Sequence, residues 1–421
     1  MKNKLWLGVG TFVLAGAISA PANPASPYGS AAPKAPHAPL HLVAEAGEGG
    51  EGGGGAPSTY ALGSTDPGAF HYDASTEIAA YVDLVRASYG AAAGAADKLV
   101  SAVDAFLSDP TEERLAGARK AWIAARPTYL VTEAFRFYDG PIENIEGRLN
   151  AWPMNEAYVD YVVGDPAAGL VNGEGPISLD AINAADQRDD EADVTTGWHA
   201  IEFLLWGQDL SDAGPGARPA SDYAPGTKAN DRRREYLDLV ARQLATDLFS
   251  LAGDWTAEGK YPKWFLALPQ REAIGRMING MAILAGYEFM SERLAVALDS
   301  GDQEDEHSCF SDTTKQDFIY DLAGIKAVWT GEGAGEKRPG LSALMRRVDG
   351  AEAAKIDGLF AQAETRIAAL GDPWDRVLAA SPGSPERQAA EAAVAALQAL
   401  GEGLRSAGAK LGVLVLIPEA G

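Results

Sequence analysis

Thr196-Gly197-Trp198-His199-Ala200-Ile201-Glu202-Phe203-Leu204-Leu205 sets a histidine and a carboxylate three residues apart in a stretch that is otherwise mostly apolar. At about 100° per residue, His199 and Glu202 stand about 60° apart on a helix and face the same way. Ile201, Phe203, Leu204, Leu205 and Trp206 cover nearly all of the remaining circumference, the pattern of a helix buried all round. Two polar groups are therefore held inside protein. A buried carboxylate without a partner is costly or takes up a proton, so Glu202 requires a cation, a strong donor or a metal. The pair is either a core hydrogen bond or part of a metal site. Phe203 follows Glu202, which excludes both His-Glu-x-x-His and its inverse, the helical zinc-peptidase motifs. Further ligands must come from distant segments.

The chain has five histidines, of which His37, His41 and His71 precede the first convincing helix. His307 remains, in Gln303-Glu304-Asp305-Glu306-His307-Ser308-Cys309-Phe310-Ser311-Asp312. That run reads as a solvated acidic loop or as a second contribution, through Asp305, Glu306 and His307, to a cation site. A helix from Thr111 to about Tyr138 carries Trp122, Arg126, Tyr129, Glu133 and Arg136 in one stripe. Aromatic groups mixed with Arg and Glu suit a polar cleft wall or a buried ion-pair network. If this wall faces the His199 helix, with Trp198 beside it, Glu133 is the best third ligand or charge partner; alternatively, Arg126 or Arg136 neutralises Glu202 or holds an anion.

Nearly every other signal is helical. Asp109-Pro110-Thr111-Glu112 reads as an N-cap, a proline at the first helical position and an acid at N3. Further long patterns span Ser75 to Leu107, Asp231 to Leu251, Gln270 to Leu298, Thr314 to Trp329, Ala351 to Leu370 and Pro385 to Ala407, and strand-type alternation is nearly absent. The expectation is an all-α protein of two packed helical bundles, residues 68–225 and 226–421.

Lys2 and Lys4 precede an apolar run from Leu5 to Ile18, and Ala20-Pro21-Ala22 offers a cleavage site, so residues 1–22 read as a signal peptide for export. Residues 23–67, rich in Gly, Pro and Ala, read as a flexible tether. No cysteine follows the apolar run, so membrane association through a lipid anchor is not expected. The single cysteine, Cys309, cannot form an intramolecular disulfide; burial, a soft metal ligand and an intermolecular link remain as readings. A net charge of −24 argues against nucleic-acid binding and favours attraction of cations. There is no phosphate-binding Gly-x-x-x-x-Gly-Lys-Ser/Thr loop and no Gly-x-Ser-x-Gly elbow.

Gly197-Trp198-His199-Ala200-Ile201-Glu202 resembles the Gly-x-His-x-x-Glu signature of the imelysin family. Gly140-Pro141-Ile142-Glu143, Asn150-Ala151-Trp152-Pro153 and the run from Gln303 to Asp312 are similar to its iron-regulated protein A branch. The resemblance covers roughly Asp73 to Trp329. It implies an all-helical periplasmic or outer-membrane-associated protein of two packed bundles with a cleft between them, linked to iron uptake, in a family filed as metallopeptidases although its members lack a recognisable metalloprotease arrangement. The expected function is binding of a metal ion, or a metal-bearing small ligand, through His199, Glu202 and Glu133. Iron is expected from the resemblance, and zinc or manganese also suits the donors. An outer-membrane iron-uptake receptor is a candidate partner. The rivals are a metallopeptidase and a protein-binding scaffold in which His199 and Glu202 form a structural hydrogen bond.

Overall fold

The structure is a computed structural model that describes residues 70–418; the segments read as signal peptide and tether, with His37 and His41, lie outside the described residues. The expected all-α architecture is observed. Among the described residues the named strands are one antiparallel pair, Glu332–Gly333 with Glu336–Lys337. No described helix is long and apolar enough to cross a membrane.

Helix α1 (Ser75–Ser108) buries Ile78, Tyr81, Val85, Tyr89, Leu99, Val103 and Phe106, a helical stripe that packs against α2 (Glu112–Leu130). The α2 cap is Thr111, whose hydroxyl accepts from the Arg114 N–H at 3.3 Å. Asp109 was the expected cap. It is instead extended before Pro110 and closes α1 through its N–H to Phe106 O, as the steric demand of the following proline favours. The C-terminus also differs from the expected Tyr138. Thr128 and Thr132 hydroxyls donate to the Ala125 and Tyr129 carbonyls at 2.6 Å, drawing acceptors from the helical ladder. A 3-10 turn follows at Glu133–Phe135, and Phe137 and Asp139 adopt positive φ. The stripe thus bends away after Tyr129.

Helix α3 (Gly197–Trp206) is buried at every position, as its composition demands. Its first residue explains the motif glycine: Gly197 has φ +79°, and a Cβ there would stand 2.3 Å from the Leu149 carbonyl oxygen. Helix α4 (Lys228–Asp254) packs along α1 and against α3. The expected boundary at 225 therefore divides elements that pack together. The reason is a set of anchors invisible along the chain: Arg233 grips the buried Asp160, and the Tyr236 hydroxyl donates to Thr195 O at 2.8 Å.

A second group follows. Helix α5 (Gln270–Ile283) continues through a π-helical segment, Leu284–Ala295, and packs with α6 (Thr314–Thr330) and α8 (Pro385–Lys410), on both of which α7 (Gly350–Ala368) packs in turn. The wider π turn brings residues five apart onto one face, so Arg293 reaches Glu288 at 3.2 Å; on an α-helix they would diverge. Both groups share one contiguous hydrophobic core. Gly324 of α6 sits against the Val131 carbonyl, where a Cβ would come within 2.5 Å, so α6 rides directly on the end of α2.

A buried histidine, arginine and carboxylate centre

Within α3, His199 Nδ1 lies 2.9 Å from Glu202 Oε2. The other carboxylate oxygen accepts from the Ser311 N–H at 3.0 Å and the Ser311 hydroxyl at 2.6 Å. Arg126, projecting from α2 and only 1% exposed, supplies the centre. Its Nη2 stands 3.2 Å from His199 Nε2, 3.4 Å from His307 Nε2 and 3.1 Å from Asp317 Oδ2. Its Nη1 donates to Asn150 Oδ1. The guanidinium lies among the rings of Trp122, Tyr129 and Trp198 at 5.7–5.9 Å, each able to stabilise a cation.

The donors settle the tautomer. Arg126 has only protons to offer, so His199 Nε2 presents its lone pair, and Nδ1–H donates to Glu202. Burial, then the Arg126 guanidinium and the neighbouring His307 ring, hold His199 well below its ordinary value; burial and the Arg293 and Arg126 guanidiniums do the same to His307. Both imidazoles are neutral. Burial pushes the Glu202 carboxyl up to about 8, against the pull of Ser311 and Arg126. The α6 carboxylate Asp317 accepts from the Ser308 hydroxyl at 2.6 Å. His307 Nδ1 lies 2.8 Å from the same Asp317 oxygen, out of line for a hydrogen bond, and Asp317 Oδ1 has no partner.

A second network adjoins the first. Glu133 is taken by Arg136 at 2.6 Å and by Arg293. Arg293 also holds Asp321 at 2.8 Å, and Arg136 holds Glu146 at 3.1 Å. Burial would raise the Glu133 carboxyl, but Arg136 and Arg293 override it and hold it well below the usual range. Trp152 separates the networks, its ring against His307 at 4.9 Å and beneath Arg293 at 5.9 Å.

The structure thus brings His199, Glu202, Arg126, Tyr129, Trp198 and His307 together. It engages Glu133 and Arg136 elsewhere: two arginines occupy the carboxylate expected as third ligand, and Arg136 faces Glu133, not Glu202. The run around His307 is not a solvated loop, since Glu306, His307 and Ser308 are buried. Glu306 turns toward Asp375, and Asp305 ends a half-exposed 3-10 turn, Gln303–Asp305. Cys309 is buried, and burial pushes its thiol up. Asn150, Ser308, Ser311, Arg293, Asp317 and Asp321 were not picked out. The pair Asp317 and Asp321, four apart on an apolar helix, was the available signal.

Glu146 carries a pH dependence. Burial pushes its carboxyl up to about 7, with Arg136 opposing and Glu133 and Glu288 reinforcing. The folded state binds this proton more tightly than the unfolded chain, so the contribution to stability is full below about pH 4.5 and is lost as pH rises through about 7. Glu146→Gln should remove about 1–3 kcal/mol of that decline, read as the change in urea midpoint between pH 5 and pH 8.

Fold and site define an all-helical protein with a charged centre enclosed where two helical groups meet. The family model described as imelysin, of the M75 peptidase class, matches residues 85–404, and the chain belongs to the imelysin family. It is 24% identical over 332 residues to iron-regulated protein A of Synechococcus elongatus, covering 76% of this chain and 82% of that protein. The fold is similar to that of a crystal structure described as an iron-regulated protein A precursor from Parabacteroides distasonis, with a TM-score of 0.65, 20% identity, and coverage of 82% of this chain and 97% of that one. An imelysin-like protein from Psychrobacter arcticus matches with a TM-score of 0.58 and 13% identity, covering 83% and 99%.

Proposed function

We propose that this protein acts in iron handling by binding a metal ion, iron in the first instance, at the point where His199 Nε2, His307 Nε2 and Asp317 Oδ2 converge. That convergence on a single atom, Arg126 Nη2, is the observation that carries the reading. Two neutral imidazoles and a carboxylate suit iron, manganese or zinc. Glu202 then serves as an outer carboxylate that orients His199 through Nδ1, not as a ligand itself. The present spacing suits a guanidinium, and a metal bonds at about 2.0–2.2 Å, so Arg126 competes with the ion and must withdraw for it. The link to iron rests on the names of the relatives, the periplasmic location on the amino-terminal sequence, and a receptor partner at the outer membrane on the family resemblance. A peptidase is less well supported, because both Glu202 oxygens are engaged and neither is left to activate water.

Metal content and affinity by mass spectrometry and titration test the proposal. Wild type should take up one equivalent of iron(II), manganese(II) or zinc(II). His199→Ala and Asp317→Asn should lose it, and Arg126→Met should bind at least tenfold more tightly. If neither wild type nor Arg126→Met takes up any of the three, the direct metal-ion reading fails, and the centre is structural.

A further inference from the structure

A second group of carboxylates, absent from the centre above, lies along the same loop. Asp209 from the segment after α3, Asp312 from the loop after His307, and Asp375 at the start of a short turn each offer an oxygen within 4.8 Å of the others. Their carboxyl groups stand within hydrogen-bond reach in sequence, Asp209 to Asp312, Asp312 to Asp375 and Asp375 to Glu306. Glu306 is the independent observation. It is 1% exposed, is not one of the three, faces Asp375 and the Thr314 hydroxyl, and receives no well-formed hydrogen bond at either buried carboxylate oxygen. Asp375, 4% exposed, is in the same position at both oxygens, as are Asp312 Oδ1 and Asp209 Oδ2. Asp209 Oδ1 accepts only the Ser211 N–H, at 3.0 Å. Folded proteins satisfy buried carboxylates, and six orphaned oxygens in one cluster mark a missing positive partner.

We propose that Asp209, Asp312, Asp375 and Glu306 form a binding site for a hard divalent cation of calcium size. An all-oxygen, carboxylate-rich donor set selects such ions over the softer metals that imidazole suits. Oxygens that all lie within 4.8 Å of one another can reach one ion together, since ligand oxygens on opposite sides of a calcium ion, at about 2.4 Å each, are about 4.8 Å apart. The site would tie three distant segments together. Asp312 immediately follows Ser311, whose two hydrogen bonds hold Glu202, so the cation would fix the loop that orients His199. The assignment does not rest on metal binding at His199.

Calcium titration of chelator-treated full-length protein, by calorimetry and thermal unfolding, tests the site, with magnesium and manganese as comparison ions. The expected result is saturable one-to-one calcium binding and a Tm that rises with the logarithm of calcium concentration. Asp312→Asn combined with Asp375→Asn should weaken binding at least tenfold. Glu306→Gln is the alternative if that pair fails to fold, and His199→Ala should leave calcium binding intact. Wild type that binds no calcium at millimolar concentration overturns the proposal, as does calcium binding lost in His199→Ala but kept in Glu306→Gln.

Discussion

Arg293→Met should cost about 3–5 kcal/mol of stability, the loss expected when one partner of a buried ion pair is removed and the other is left uncompensated. Arg293 is fully buried and holds Glu133, Glu288 and Asp321 at once, so the variant strands Asp321 and leaves Glu133 to Arg136 alone. Asp321 is the more exposed to this loss in energetic terms, because burial already pushes its carboxyl up to about 7 against the attraction of Arg293. Methionine fills much of the volume, which makes charge loss and not a cavity the main effect. A double-mutant cycle with Asp321→Asn isolates that effect. The asparagine should recover a substantial part of the stability lost in Arg293→Met, measured as ΔG from urea unfolding. If the double variant is as unstable as the sum of the singles, the arginine acts through packing alone.

Gly197→Ala should disable the centre without altering any of its polar side chains. The left-handed dihedral costs an alanine about 1–2 kcal/mol, and the new methyl would stand 2.3 Å from the Leu149 carbonyl oxygen, so the start of α3 must move. Arg148 O, next to Leu149, accepts from the Thr196 hydroxyl at 2.9 Å, and that contact is displaced too. Because His199 is two residues into the helix, the shift reaches its ring. The expected result is lower stability together with a weakened His199 to Arg126 contact. The histidine proton signals in NMR, compared with those of Glu202→Gln, read the latter directly. Retention of wild-type stability would show that the segment from Arg148 to Asn150 yields freely, against the close packing seen here.

Much of the fold was legible because helices advertise themselves locally. The stripe of α1, the all-round burial of α3 and the long patterns of α4 to α8 each follow from periodicity within one segment, where burial demand and backbone geometry coincide. The boundaries of α2 were not legible, because hydroxyl competition at Thr128 and Thr132 outweighs a periodicity that runs on to Arg136. The packing of α4 against α1 and α3 was not legible for a different reason. It depends on Arg233 meeting Asp160 and on Tyr236 meeting Thr195, encounters between residues far apart along the chain.

The site divides the same way. Its motif half was determined by the sequence: His199 beside Glu202 on a buried helix with Gly197 at its start, since three-residue spacing on an apolar helix leaves no other geometry. The tertiary structure alone decided the other half. A stripe along one helix specifies direction but not the face it meets, so Glu133 went to Arg136 and Arg293, whereas Arg126 met His199, His307 and Asp317 from three separate segments. Local geometry is set by backbone steps of fixed length; which buried charges neutralise one another is set by packing, where the cost of an unpaired ion selects the partner.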